Sequence, residues 1–131
     1  MEDKTQNKYI PGQCNIGKYE SEKRLKVGVF SGIMLFGLSF IFQIIAFPAF
    51  IEVILLFAFA YSSILGFLQY YNKFCVYYGL RQVFNFKDIE NLTKINALDS
   101  ISADKAKSLR LILISGLVAT LYSLMYLFLF I

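Results

Sequence analysis

Between residues 27 and 71 the chain carries no Lys, Arg or Asp, and Glu52 is the lone ionisable carboxylate of that run. A helix rises about 1.5 Å per residue, so a helix of that length would be roughly twice as long as a hydrocarbon core about 30 Å thick. The run must fold back, and Pro48 near its middle marks the place. The pattern predicts a helical hairpin with spans over 27–47 and 49–71. Residues 109–131 carry no charge beyond Arg110 and predict a third span. Between the hairpin and that span, Ile89, Leu92, Ile95, Leu98 and Ile101 recur every third residue, with Glu90 and Lys94 at the i,i+4 spacing of a helical ion pair. A short amphipathic helix over 87–101 is expected there. Ser100 or Ser102 is then expected to cap the last helix, with Asp104 in its first turn, where the helix dipole favours negative charge.

These elements add up to an all-α integral membrane protein with three transmembrane helices, a hairpin plus a C-terminal helix, and a small cytoplasmic cap. The chain divides into a polar N-terminal segment (1–24), the hairpin (25–71), a loop with an interfacial or amphipathic piece (72–108) and the third span (109–131). Composition agrees, at 57% hydrophobic and 18% aromatic, well above soluble chains. The first apolar run is too long for a signal sequence and no small-x-small site follows it, so it reads as a retained span.

Charge adds orientation. The net charge is +4, but position matters more. Lys4, Lys8, Lys18, Lys23, Arg24 and Lys26 precede the first span, and Lys73, Arg81, Lys87, Lys94, Lys105, Lys107 and Arg110 lie between the second and third. By the positive-inside rule both segments face the cytoplasm, with the hairpin turn and the C-terminus on the opposite side of a bacterial inner membrane. The same basic surface suits anionic lipid headgroups, at about 1 kcal/mol per well-placed Lys or Arg. Its spread along a membrane edge does not suit a nucleic acid.

Each span carries small residues at four-residue spacing: Gly28 and Gly32 in the first, Ala58, Ser62 and Gly66 in the second, Ser115, Ala119 and Ser123 in the third. Small side chains let membrane helices approach closely, so these are the candidate packing faces, joined either within one chain or between copies. Near the turn, Gln43 and Glu52 sit at similar depth and are able to bond across the hairpin. Glu52 reads as a solvated or protonated carboxylate, with an ion or proton route as the alternative. Tyr70, Tyr71, Phe74, Tyr77 and Tyr78 form an aromatic belt where the second helix leaves the membrane.

Little in the chain carries chemistry. There is no His, which excludes imidazole metal sites and His-dependent triads, and there is no phosphate loop or paired carboxylate. Cys14 and Cys75 share the reducing cytoplasmic side and are expected to be free thiols. Two thiolates are an incomplete zinc site. They leave open a metal or thiol role beside a bland one, in which they help dock the N-terminal segment against the end of the second helix.

The pieces Cys14-Asn15-Ile16-Gly17, Gly66-Phe67-Leu68-Gln69, Phe74-Cys75 with Tyr78-Gly79-Leu80-Arg81, Val83-Phe84-Asn85-Phe86 and Ala103-Asp104-Lys105-Ala106 together resemble a family of small uncharacterised bacterial membrane proteins. The resemblance covers most of the chain in scattered pieces. It implies no activity, and it draws attention to Cys14 and Cys75.

Three functional readings follow. The first is a non-catalytic accessory or structural subunit docking in a larger membrane assembly, with a membrane protein or a second copy as partner. The second is metal or thiol handling by Cys14 and Cys75. The third is a bundle that binds a lipid or small molecule between splayed outer halves lined by Phe and by Tyr122 or Tyr126. No enzyme activity and no cofactor are expected.

Overall fold

In the computed structural model, which describes residues 9–84 and 93–131, three long helices form the body of the chain. They are α1 (Lys18–Ile44), α2 (Ala49–Asn72) and α4 (Leu98–Phe130), and among the described residues all three are long and apolar enough to cross a membrane. The short α3 (Val76–Arg81) and a two-stranded antiparallel ladder, β1 (Val83–Phe84) with β2 (Thr93–Lys94), close one end. The fold is all-α with three spans. We refer to the end carrying α3 as the cap end and the other as the hairpin end.

The turn at the hairpin end is tighter than the apolar run suggests. α1 stops at Ile44 rather than Phe47, and Pro48 caps α2 from outside instead of opening its first turn. The Pro48 carbonyl accepts the amides of Ile51 (2.9 Å) and Glu52 (3.3 Å), the Glu52 bond being the first regular bond of the helix and the Ile51 bond satisfying one of the donors a helix start leaves free. At the cap end α1 and α4 outrun the bilayer. The 33 residues of α4 span about 50 Å, so roughly 20 Å of helix stands clear of a 30 Å core.

Packing among the spans depends on close approach, since burying apolar surface against lipid gains little. α1 and α2 meet at Gly28 and Gly66. A methyl on Gly66 would lie 2.7 Å from the Gly28 amide nitrogen and 2.9 Å from the Arg24 carbonyl. No side chain fits there. Ser63 Oγ donates to the Gly28 carbonyl at 2.9 Å and seals the same contact. α4 contributes Ser115, Ala119 and Ser123, all buried, so the small-residue faces join within one chain. In α2 the face is displaced from its expected register: Ala58 is exposed and Ser62 half-buried, whereas Ala60, Ser63 and Gly66 point inward. A stripe at i, i+3 and i+6 serves as well as one at i, i+4 and i+8, and the wedge of Gly28 against Gly66 fixes which is used.

The segment before α4 departs from the amphipathic helix expected over 87–101. Residues 87–92 lie outside the described residues, and of the rest Thr93 and Lys94 pair with Phe84 and Val83 while Ile95 is buried. Leu98 and Ile101 belong to α4 itself, which starts after Ala97 without a side-chain cap. Asp99 is the acid of its first turn, and Ser100, Ser102 and Asp104 all lie within the helix. The repeat fits a helix, but the pairing of Thr93 and Lys94 with β1 and the bond from the Ile95 amide to the Gln82 carbonyl (2.8 Å) hold the described part of this segment extended.

Candidate functional site

Two places gather polar groups: the cap, and a cavity at the hairpin end. In the cap the N-terminal segment lies against the exit of α2. Lys73 ends α2 in the left-handed conformation (φ 50°), turning the chain so that Phe74 and Cys75 run extended into α3. Asn15, fully buried, reads that extended piece as a strand would. Its Oδ1 accepts the Cys75 amide at 2.7 Å, its Nδ2 donates to the Cys75 carbonyl at 3.1 Å, and the amides of Asn15 and Ile16 both donate to the Lys73 carbonyl. Gln69 Oε1 accepts the Val76 amide (2.9 Å), satisfying a free donor at the start of α3.

Charged groups flank this contact. Glu20 is buried between Lys23 (3.3 Å) and Arg24 (3.6 Å), and the Arg24 guanidinium also donates to Cys75 Sγ at 3.2 Å. Asp104, fully buried on α4, accepts the Tyr9 hydroxyl (2.6 Å) and the Gly12 amide (2.7 Å). Gly12 adopts φ +67° there, a conformation that disfavours a side chain. Tyr9 also stacks on Phe84 at 4.8 Å. Burial, reinforced by the bond to Asp104 and its charge, holds the Tyr9 phenol well above its usual range.

The cysteines do less than their motifs suggest. Cys14 is half-buried and its Sγ reaches only the Ile16 carbonyl (3.6 Å); burial pushes its thiol up, and the Lys73 charge offsets part of that. Cys75 is buried and paired with Arg24. Among the described residues no group of three or more His, Cys, Asp or Glu side chains is placed to share a metal. The docking is done by Asn15, Gln69 and Asp104, whose roles the sequence left open. All three lie in the motif pieces of the sequence, and a buried amide or carboxylate needs partners that only the fold supplies. The aromatic belt divides as well: Phe74 and Tyr78 are buried in the cap, while Tyr71 and Tyr77 face outward.

At the hairpin end the three long helices border an open-sided cavity of about 600 Å³, much of whose rim is exposed. Phe42, Phe47, Tyr126 and Phe130 form much of its wall, with Gln43 and Glu52 as the polar groups. Phe42 and Phe47 meet edge to face at 5.3 Å, and Tyr126 and Phe130 pack at 5.1 Å. Tyr126 is buried rather than lipid-facing and donates to the Ser39 carbonyl at 3.3 Å; Tyr122 pairs with Ser39 Oγ deeper in the bundle and does not line the cavity. Gln43 and Glu52 share the cavity but make no hydrogen bond to each other among the described residues, so the expected bond across the hairpin does not form. Glu52 is only 5% exposed, so of the expected alternatives it is the solvated carboxylate that the burial disfavours.

No protein family, curated protein or solved structure matches this chain.

Proposed function

We propose that this chain is a non-catalytic, multi-pass membrane protein that holds an amphiphile, a lipid or lipid-like small molecule, in the cavity at its hairpin end. The observation that supports this reading is the cavity itself. Its volume of about 600 Å³ falls within the range of small-molecule sites, and aromatic walls around a few polar groups are how such sites are built. The distribution of Lys and Arg favours a cytoplasmic cap and a cavity toward the opposite face of a bacterial inner membrane.

The accessory-subunit reading drew its positive support from the small-residue faces. With Gly28, Gly66, Ser115, Ala119 and Ser123 directed into the chain's own bundle, the outer faces offer side chains such as Phe36, Phe40, Leu113 and Leu117, which suit lipid tails. The metal or thiol reading has less to support it, since among the described residues no third ligand joins Cys14 or Cys75 and Cys75 is 1% exposed.

Native mass spectrometry after extraction in a mild non-ionic detergent tests the proposal. The expected result is an added mass of one bound amphiphile, lost in Ala46→Phe, which fills the cavity. Wild-type protein that carries no amphiphile and takes up none when supplied would overturn it, as would uptake that Ala46→Phe leaves unchanged.

A further inference from the structure

The cavity reading says that something amphiphilic is held; the geometry points to its charge. We infer that the cavity recognises an organic ammonium group carried on an apolar chain, with Glu52 as its counter-ion. This rests on the cavity reading.

Glu52 lies in the first turn of α2, is 5% exposed, and its carboxylate makes no hydrogen bond or salt bridge among the described residues. The side-chain atoms sealed from their surroundings and lacking a partner among those residues are Arg24 Nε and Ser115 Oγ. The Glu52 oxygens are not among them, so their accessible edge faces the cavity that Glu52 lines. A buried carboxylate without a partner is costly in a membrane protein, and where one is found it marks a site that something completes.

Among the described residues no cation pairs with it. Between Lys26 and Lys73, and again beyond Arg110, the sequence holds no Lys, Arg or His. The basic side chains of the described residues therefore lie on the cap-end parts of the helices and on the cap itself. Of the neighbouring donors, the Tyr126 hydroxyl donates to Ser39 and the Ile51 and Glu52 amides donate to Pro48, which leaves the neutral Gln43 amide beside Glu52 in the cavity wall and no cation. The α2 N-terminus favours negative charge at Glu52 but brings no counter-ion.

The walls decide what kind of cation fits. Phe42, Phe47, Tyr126 and Phe130 line the cavity together with Glu52, in two ring pairs at 5.3 and 5.1 Å. Hard inorganic cations take oxygen ligands, of which the cavity side chains offer few. A carboxylate among aromatic rings suits an alkylated or primary ammonium, which gains cation–π attraction as well as ion pairing.

The test uses the full chain in dodecyl maltoside, a non-ionic detergent, and measures binding of decyltrimethylammonium, a short-chain phosphatidylethanolamine and neutral 1-decanol by native mass spectrometry. Wild type is expected to bind decyltrimethylammonium at least about tenfold tighter than decanol. Glu52→Gln should remove that preference and keep decanol binding, which also reports that the variant is folded. Displacement of decyltrimethylammonium by the ethanolamine lipid assigns the ammonium to a lipid headgroup; failure to displace assigns it to a free amphiphilic ammonium, and both support the inference. No preference in wild type, a preference that sodium chloride at constant ionic strength abolishes, or an unchanged preference in Glu52→Gln would overturn it while decanol binding sustains the cavity reading. Binding of no probe at all would overturn both.

Discussion

Asn15→Ala in a Cys14→Ser background tests how the cap is held, with Cys75 as a built-in reporter. Cys75 is 1% exposed, so a maleimide reaches it only when the N-terminal segment lifts from the end of α2. The substitution removes two bonds at once, from the Cys75 amide to Oδ1 (2.7 Å) and from Nδ2 to the Cys75 carbonyl (3.1 Å). Their losses are unequal. The carbonyl still accepts the Gly79 amide at 2.9 Å, so its share is an ordinary bond of about 0.5–1.5 kcal/mol. The amide has no second acceptor and becomes a buried orphan, at about 1–3 kcal/mol. Together they lower the free energy of local opening by about 1.5–4.5 kcal/mol, which raises the maleimide rate at Cys75 by roughly 10-fold to 2,000-fold when opening is in rapid equilibrium. The bonds from the Asn15 and Ile16 amides to Lys73 do not involve the Asn15 side chain, so the helical content read by circular dichroism should not change. A rate within about threefold of the parent would refute the reasoning that the Asn15 amide, rather than general packing, closes the cap.

Other outcomes follow from the same geometry. Gly66→Ala should lower the thermal midpoint in detergent, by about 1–3 kcal/mol of overpacking, because its methyl meets Gly28 backbone at 2.7 Å; Gly37→Ala, with nothing within 4 Å, is the neutral control, and equal shifts would refute the contact. Asp104→Ala should weaken docking of the N-terminal segment by about 2–3 kcal/mol, seen as faster hydrogen exchange at the Gly12 amide. Because burial and Asp104 raise the folded-state value of Tyr9, its contribution is complete below the ordinary tyrosine range and falls away as pH rises through the raised value; alkaline titration should loosen the segment in wild type but have little such effect in Tyr9→Phe. Cys14, whose thiol is raised by burial, should react with iodoacetamide along a pH profile displaced above that of glutathione, and Lys73→Ala should displace it further.

The bundle was legible because membrane insertion is a matter of composition along the chain. A charge-free run too long for one crossing forces a hairpin, and Pro48 locates the turn within a residue or two. The small-residue faces were legible in α4, where Ser115, Ala119 and Ser123 point inward, and only in part in α2, where Gly66 is used as expected but Ala60 and Ser63 take the places of Ala58 and Ser62. A four-residue stripe and a mixed three- and four-residue stripe fit one helix face equally well, so the partner helix had to choose.

The polar sites depended on pairing, which sequence does not record. Asn15 and Asp104 were visible as residues, but not the backbone donors facing them from far along the chain: Cys75 for the one, Gly12 for the other. Glu52 shows both halves of the division. Sequence alone determined that a single carboxylate stands in a long apolar hairpin, since every residue around it is read directly. Only the tertiary structure decided that it is buried and turned toward a cavity, because that depends on where α1, α2 and α4 converge and on which donors their backbones have already engaged.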